Sequence, residues 1–258
     1  MTKQVRAAFV IARFVLHESL HNNILIFAAA LFAATFAAGY LLTGLMIASR
    51  LKVLLDFTLL SYQLFVFCLI LFFVAPFFNR PEQRKTISLF LTKQISRSTL
   101  MIGIFLGFTI LLFLVGVVLF GTSLVLFRFL SGIWMLYLGV AFLTIFVEGI
   151  FLLSAGLFFA LILPTILAAG AVVALYILGY TSHDWFALIS KGASPFVTLI
   201  ASIGSYLVPD LSVLDVKSRI IYQVPINSHA LLLAFIYTLS TTGIFLVGSL
   251  LLFRNKRI

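Results

Sequence analysis

Charge is what this sequence has least of. Only 9% of its 258 residues are Asp, Glu, Lys or Arg, where a soluble domain carries roughly 25%, so a water-facing shell around a catalytic domain is excluded. Cysteine is nearly absent too: Cys68 stands alone in an apolar stretch, which rules out a disulfide framework and a thiolate metal cluster. Neither G-x-x-x-x-G-K-[ST] nor G-x-G-x-x-G occurs, so no phosphate-binding loop is present, and any ATP that drives this protein is bound by another chain. No internal repeat and no low-complexity linker interrupts the chain, which reads as one domain, 1–258. Acidic residues number 7 against 17 Lys and Arg, a net charge of +10. In a soluble protein that excess would suggest nucleic acid; here the cations cluster at the ends of apolar runs, and nucleic acid is not an expected partner.

What is abundant is hydrocarbon. Hydrophobic residues make up 63% of the chain and the mean hydropathy is +1.25, so lipid is the solvent for most of it. A membrane-crossing helix needs about 20 mostly apolar residues. Six such runs occur, at about 22–48, 57–78, 100–126, 133–155, 158–180 and 229–253. The expected fold is therefore an all-α integral membrane protein of six transmembrane helices. The first run is too long for a cleaved signal peptide and follows a helical stretch carrying Lys3, Arg6 and Arg13, so it is taken as retained. With the N-terminus inside, the inner segments hold 11 Lys and Arg and the outer ones 6, which places both termini in the cytoplasm.

Two connections are long enough to do work. The inner one, Asn79 to Arg97, opens with Pro81, and its Ile87, Phe90 and Leu91 fall on one face opposite a basic one, as in a short helix lying on the membrane surface. The outer one, 181–228, contains an apolar run from Phe196 to Val208 bounded by Pro195 and Pro209. That run is too short to cross, and a seventh crossing would expel the basic C-terminus, so an interfacial or re-entrant extracytoplasmic segment is expected.

Few residues carry chemistry. His17-Glu18-Ser19-Leu20-His21 spells H-E-x-x-H, which on a helix sets two imidazoles one turn apart for Zn²⁺ with a Glu to activate water. A catalytic zinc wants a third protein ligand. The remaining candidates are Glu82 and Glu148, counted on the inner side, and His183 and His229, counted outside. The alternative is an amphipathic N-terminal helix whose His and Glu face headgroups. Glu148 is the only acidic residue deep in an expected span, where an uncompensated charge costs roughly 2.5–3.5 kcal/mol or more; a pathway role and a helix-binding role are both open. Ala30, Ala34 and Ala38, and Gly103 with Gly107, have the four-residue spacing that lets helices approach closely. Trp134, Tyr137, Tyr180 and Trp185 near span ends read as interface anchors.

The run from Arg80 to Gly107, R-P-E-Q-R-K-T-I-S-L-F-L-T-K-Q-I-S-R-S-T-L-M-I-G-I-F-L-G, resembles the loop between the second and third helices of ABC exporter permeases, in the branch related to copper-enzyme-maturation permeases. That family shows an acidic residue, a basic-Thr pair, an apolar helix, a Lys-Pro-Ile-Ser-Arg turn and a Gly-Lys-Phe-Leu-Gly helix start. This chain departs at Gln94, where the family has Pro, and at Ile104, where it has Lys. The stretch Gly179 to Tyr222, with S-Y-L-V-P-D-L-S-V-L-D-V-K-S-R-I-I-Y, resembles the family's outer loop, Asp210 standing for its Asn. His17 to His21 falls where family members carry an Arg-Glu-x-x-Arg string, which weakens the zinc reading.

The resemblance implies the transmembrane subunit of an ATP-driven exporter in a bacterial inner membrane, with no cofactor of its own. Two such chains, identical or paralogous, would pair, and two ATPase subunits holding ATP and Mg would dock on a coupling helix between the second and third spans. The residues implied in coupling are Glu82, Arg84, Lys85, Thr86, Ser88, Lys93, Ser96 and Arg97. The outer segment, 185–208, would form an extracytoplasmic lid. The readings that compete with this one are a membrane-embedded zinc metalloprotease using His17, Glu18 and His21, and a channel whose pathway uses Glu148. Substrate identity is not written in an apolar interior.

Overall fold

The computed structural model describes residues 3–21, 24–43, 50–78, 96–132, 134–190 and 228–255, together with positions 211, 214, 217 and 219. The described residues form helices α1 (Lys3–His21), α2 (Ile24–Thr43), α3 (Arg50–Leu69, closed by a π-helical turn Ile70–Val74), α4 (Arg97–Ser131), α5 (Leu138–Ile162), α6 (Thr165–Ser190) and α7 (Ser228–Asn255). The described residues are all-helical, with several long apolar helices of the kind that embed a protein in a membrane. Four stretches are long and apolar enough to cross a bilayer, Leu51–Val74, Arg97–Ser131, Leu138–Ile162 and His229–Arg254, and α1 with α2 makes a fifth only as a pair bent by 56°.

Two expected boundaries move. The spans expected at 133–155 and 158–180 are helices that begin at Leu138 and Thr165. Gly132 ends α4 in the left-handed conformation, φ 75°, its N–H donating to the Arg128 carbonyl, and Pro164, which cannot continue an i→i−4 ladder, breaks α5 from α6. The apolar part of α6 is then only Thr165–Thr181. Of the inner connection only Ser96 and Arg97 are described; 79–95 and the outer run 191–210 lie outside the described residues.

α5 is the hub, with 72% of its most apolar window buried, whereas α7 at the edge buries 17%. Glycines set how closely neighbours approach. A Cβ on Gly156 would meet Ile70 Cγ2 at 3.0 Å and Val74 Cγ1 at 3.4 Å, so α5 closes on the π-turn of α3. Gly149, seven residues earlier in α5, lies against Val66 of α3 and Leu112 of α4. Tyr62 crosses the same level, its hydroxyl donating to the Leu112 carbonyl at 3.1 Å and its ring stacked on Phe142.

α1 does not stand apart on the surface. Ala8, Ile11, Ala12, Val15 and Ser19 form a buried stripe that runs parallel to the start of α4. A Cβ on Gly103 would lie 2.7 Å from Ile11 Cβ and 2.9 Å from the Ala8 carbonyl oxygen; one on Gly107 would lie 2.8 Å from Val15 Cβ and 2.9 Å from the Ala12 carbonyl oxygen. The Gly103/Gly107 spacing thus packs within the chain, small residue against small residue, with α1 as its partner.

The ends of the bundle differ in charge. Ser96 caps α4, its Oγ accepting from the Thr99 N–H at 3.1 Å. Arg97 Nη1 donates to the carbonyls of Phe253 and Arg254, each at 3.4 Å, placing a cation on the C-terminal carbonyls of α7. Phe78, at the end of α3, packs its ring 5.6 Å from Phe253. One end therefore gathers the last turns of α3 and α7 and the first turn of α4. The other end of α4 carries Arg128, whose guanidinium lies 5.8 Å over the Trp134 ring, a pairing suited to a membrane interface.

Two glycine substitutions should separate tight contact from open surface. Gly103→Val drives carbon into the Ala8 backbone and should cost about 3 kcal/mol, read as a lower unfolding midpoint in detergent. Gly243→Ala, where a Cβ meets nothing within 4 Å, should leave the midpoint unchanged or raise it, since alanine gains about 0.5–1 kcal/mol over glycine in a helix. Equal effects at the two positions would refute the α1–α4 contact.

Candidate functional site

The polar centre of the bundle is built around Glu148, the eleventh residue of α5, only 3% exposed. Neighbouring helices supply its partners. Tyr180 of α6 donates its hydroxyl to Glu148 Oε2 at 3.1 Å. Gln63 of α3, itself buried, gives its amide N–H to Glu148 Oε1 at 3.4 Å and to the Tyr176 hydroxyl oxygen at 2.5 Å. The Gln63 carbonyl oxygen accepts a hydrogen bond from Lys217 Nζ. Tyr176 and Tyr180 are one helical turn apart, with ring centroids 4.8 Å from each other, and Phe67 meets Tyr176 edge-on at 4.2 Å.

This arrangement is chemically self-consistent. The Gln63 amide, which has both a donor and an acceptor end, faces an ammonium with its oxygen and a carboxylate with its nitrogen. It therefore bridges a cation and an anion that would each be costly alone in a low-dielectric interior. Two described positions near Lys217 are held in the bundle as well: Leu211 and Leu214 are fully buried, and the Leu211 N–H donates to the Gly179 carbonyl at 3.0 Å. The cluster thus joins α3, α5, α6 and the segment before α7.

The residues picked out from sequence divide as follows. Glu148, grouped with the inner side when α5 was expected at 133–155, is the eleventh residue of a helix that starts five residues later, and it shares its cluster with Lys217, which charge counting puts outside. Ser96 and Arg97 form the joint between α4 and α7. Glu82, Arg84, Lys85, Thr86, Ser88 and Lys93 lie outside the described residues. His17 and His21 are exposed along α1 with Glu18 beside them, and among the described residues no group of three His, Cys, Asp or Glu side chains is placed to hold a metal ion.

Gln63, Tyr176 and Lys217 were not singled out, and Tyr180 was read as an anchor. The available signals were a glutamine inside an otherwise apolar span and two tyrosines at i and i+4; nothing local marked Lys217. In comparisons with known proteins, no family model and no curated sequence matches the chain.

Glu148→Ala leaves Lys217 and the Gln63 amide without their anion, and should destabilise the protein by about 3 kcal/mol, a fall in unfolding midpoint of roughly 6–12 °C. Lys217→Ala should also destabilise. The double variant should cost less than the sum of the two, and strict additivity would show that the ammonium and carboxylate do not communicate through Gln63.

Proposed function

We propose that this chain is the membrane-spanning permease subunit of an ATP-driven exporter, crossing a bacterial inner membrane six times with both termini cytoplasmic and working as one of two paired permease chains. The observation that carries this reading is the joint at the basic end. The segment around 82–97, where the resemblance puts a coupling helix, ends in sequence at Ser96 and Arg97, which open α4, and Arg97 grips the carboxyl end of α7. A displacement of that segment by a nucleotide-driven partner pushes on α3, α4 and α7 together, because the joint is held by a helix cap and charge-assisted hydrogen bonds.

The polar cluster supports the other half of the cycle. Lys217 follows, in the same outer connection, the segment 185–208 that the reading treats as an extracytoplasmic lid, and its bond to Gln63 ties that connection to α3 and α5. In this mechanism the inner joint moves the helices, and the cluster at mid-bundle reports that movement to the outer side. Glu82, Arg84, Lys85 and Thr86 provide the polar groups that meet the ATPase.

Isolation of the tagged chain from its own host in mild detergent tests the reading. The expected complex has two permease chains and two ATP-binding subunits. Replacing Arg84 and Lys85 with Ala should release the ATPase subunits and lower transport in vesicles at least tenfold, with the unfolding midpoint unchanged. A lone chain carrying one zinc would overturn the exporter reading and make His17, Glu18 and His21 the site.

A further inference from the structure

α4 and α5 pack antiparallel, Phe113 meeting Phe146 and Phe120 meeting Phe142, and an apolar groove opens along their seam. Its inner wall is Tyr62 stacked on Phe142, both buried, and its rim is Phe113, Val117 and Leu143, each about half exposed. The cavity measures about 160 Å³. Glycines make room for it: a Cβ on Gly116 would lie 2.6 Å from the Tyr62 hydroxyl, and Gly139, the second residue of α5, faces Phe120 at the end nearest the α4–α5 connection. Tyr62 supplies the one polar side-chain atom of the lining, and that hydroxyl is spent on the Leu112 carbonyl. A polar occupant finds no partner there, whereas a dry apolar cavity of about 150 Å³ accepts hydrocarbon the size of benzene.

What stands beyond the groove decides what fills it. Steps of three and four residues along one face of α4 lead from Phe113 through Val117, Phe120 and Leu124 to Arg128, which is exposed. The Arg128 guanidinium lies 5.8 Å over the Trp134 ring. Stacking takes up one face of that group and leaves its N–H donors pointing outward in the plane, where a phosphate can meet two of them; among the described residues they bond to no acceptor. At 1.5 Å per residue, Arg128 stands about 12 Å from Phe120 and about 22 Å from Phe113 along the helix. A bilayer with its headgroups is about 40–45 Å thick, so the longer distance is the depth of one leaflet. With Arg128 and Trp134 among the headgroups, the groove lies beside the acyl chains and ends near the midplane.

We propose that the α4–α5 groove binds one phospholipid of the adjoining leaflet, its phosphate on Arg128 beside Trp134 and one acyl chain laid past Phe120 into the groove as far as Phe113. Charge complementarity selects the phosphate at one end, and the lack of a free polar atom selects hydrocarbon at the other. The leaflet-deep separation of the two ends joins them in a single molecule. The site rests on α4 and α5 being spans and does not depend on the exporter reading.

The test uses the full chain in nanodiscs doped with phosphatidylglycerol, or with diacylglycerol, bearing the same photoreactive group at mid-chain. Adducts on residues 113–120 are counted by mass spectrometry against those on α7, whose exposed Leu233, Ile244 and Leu251 sample bulk lipid. Phosphatidylglycerol should raise that ratio about tenfold over diacylglycerol, the scale of one hydrogen bond to a charged group. R128Q should remove the gain, and L143W, which fills the rim, should abolish adducts on 113–120 while leaving those on α7. Equal ratios for the two lipids, an undiminished gain in R128Q, unchanged labelling of 113–120 in L143W, or a wild-type groove that takes no adduct because a second copy of the chain covers it would each overturn the proposal. Should either variant fail to fold, the wild-type comparison of the two lipids decides the question.

Discussion

Lipid offers no hydrogen bonds, and that constraint shapes every polar group in this bundle. Hydroxyl side chains inside the helices turn back onto their own backbone: Thr58 donates to the Leu54 carbonyl, Thr144 to Ala141, Ser154 to Phe151 and Thr242 to Thr238. Tyr62, too large for that solution, reaches across to Leu112 of α4. Glu148 cannot be satisfied by one neighbour, so it draws on Tyr180 of α6 and Gln63 of α3, and Gln63 in turn on Lys217. The cluster is what an ionisable pair must look like when water is excluded.

Packing obeys the same constraint from the apolar side. Without a hydrophobic gain on leaving lipid, helices adhere through close contact, and glycines occur at close approaches, among them Gly103 and Gly107 under α1, Gly116 under Tyr62, and Gly149 and Gly156 on the face of α5 toward α3. The result is a graded molecule. α5 is enclosed and carries the carboxylate, while α7 is attached along one face and leaves Leu233, Ile244 and Leu251 exposed. Among the described residues, charge is tied across helices at the basic end, by Arg97, and at the centre, by Glu148. They lie on different helices, α4 and α5, which pack directly on each other, and a permease of the proposed kind needs mechanical continuity between two such points.

The helical character, the membrane environment and the clustering of cations at helix ends were legible in composition and in apolar runs, because lipid burial demands about 20 consecutive apolar residues. The oddity of Glu148 was legible for the same reason. Boundaries were less so: α5 and α6 shifted because the expected break near 156 sits at Leu163 and Pro164, and apolarity continues unchanged across it. The Gly103/Gly107 spacing announced close packing without naming a partner.

By itself, then, the chain determined an all-helical membrane protein with a lone deep carboxylate and a basic end, since these follow from solvent preference residue by residue. Only the tertiary structure decided that α1 lies in the groove of α4, that Arg97 holds α7 from 156 positions away, and that Glu148 meets Gln63, Tyr180 and, through the amide, Lys217. These pairings join residues far apart in sequence. They depend on which helix faces are turned toward each other, and periodicity within one helix carries no record of its neighbour.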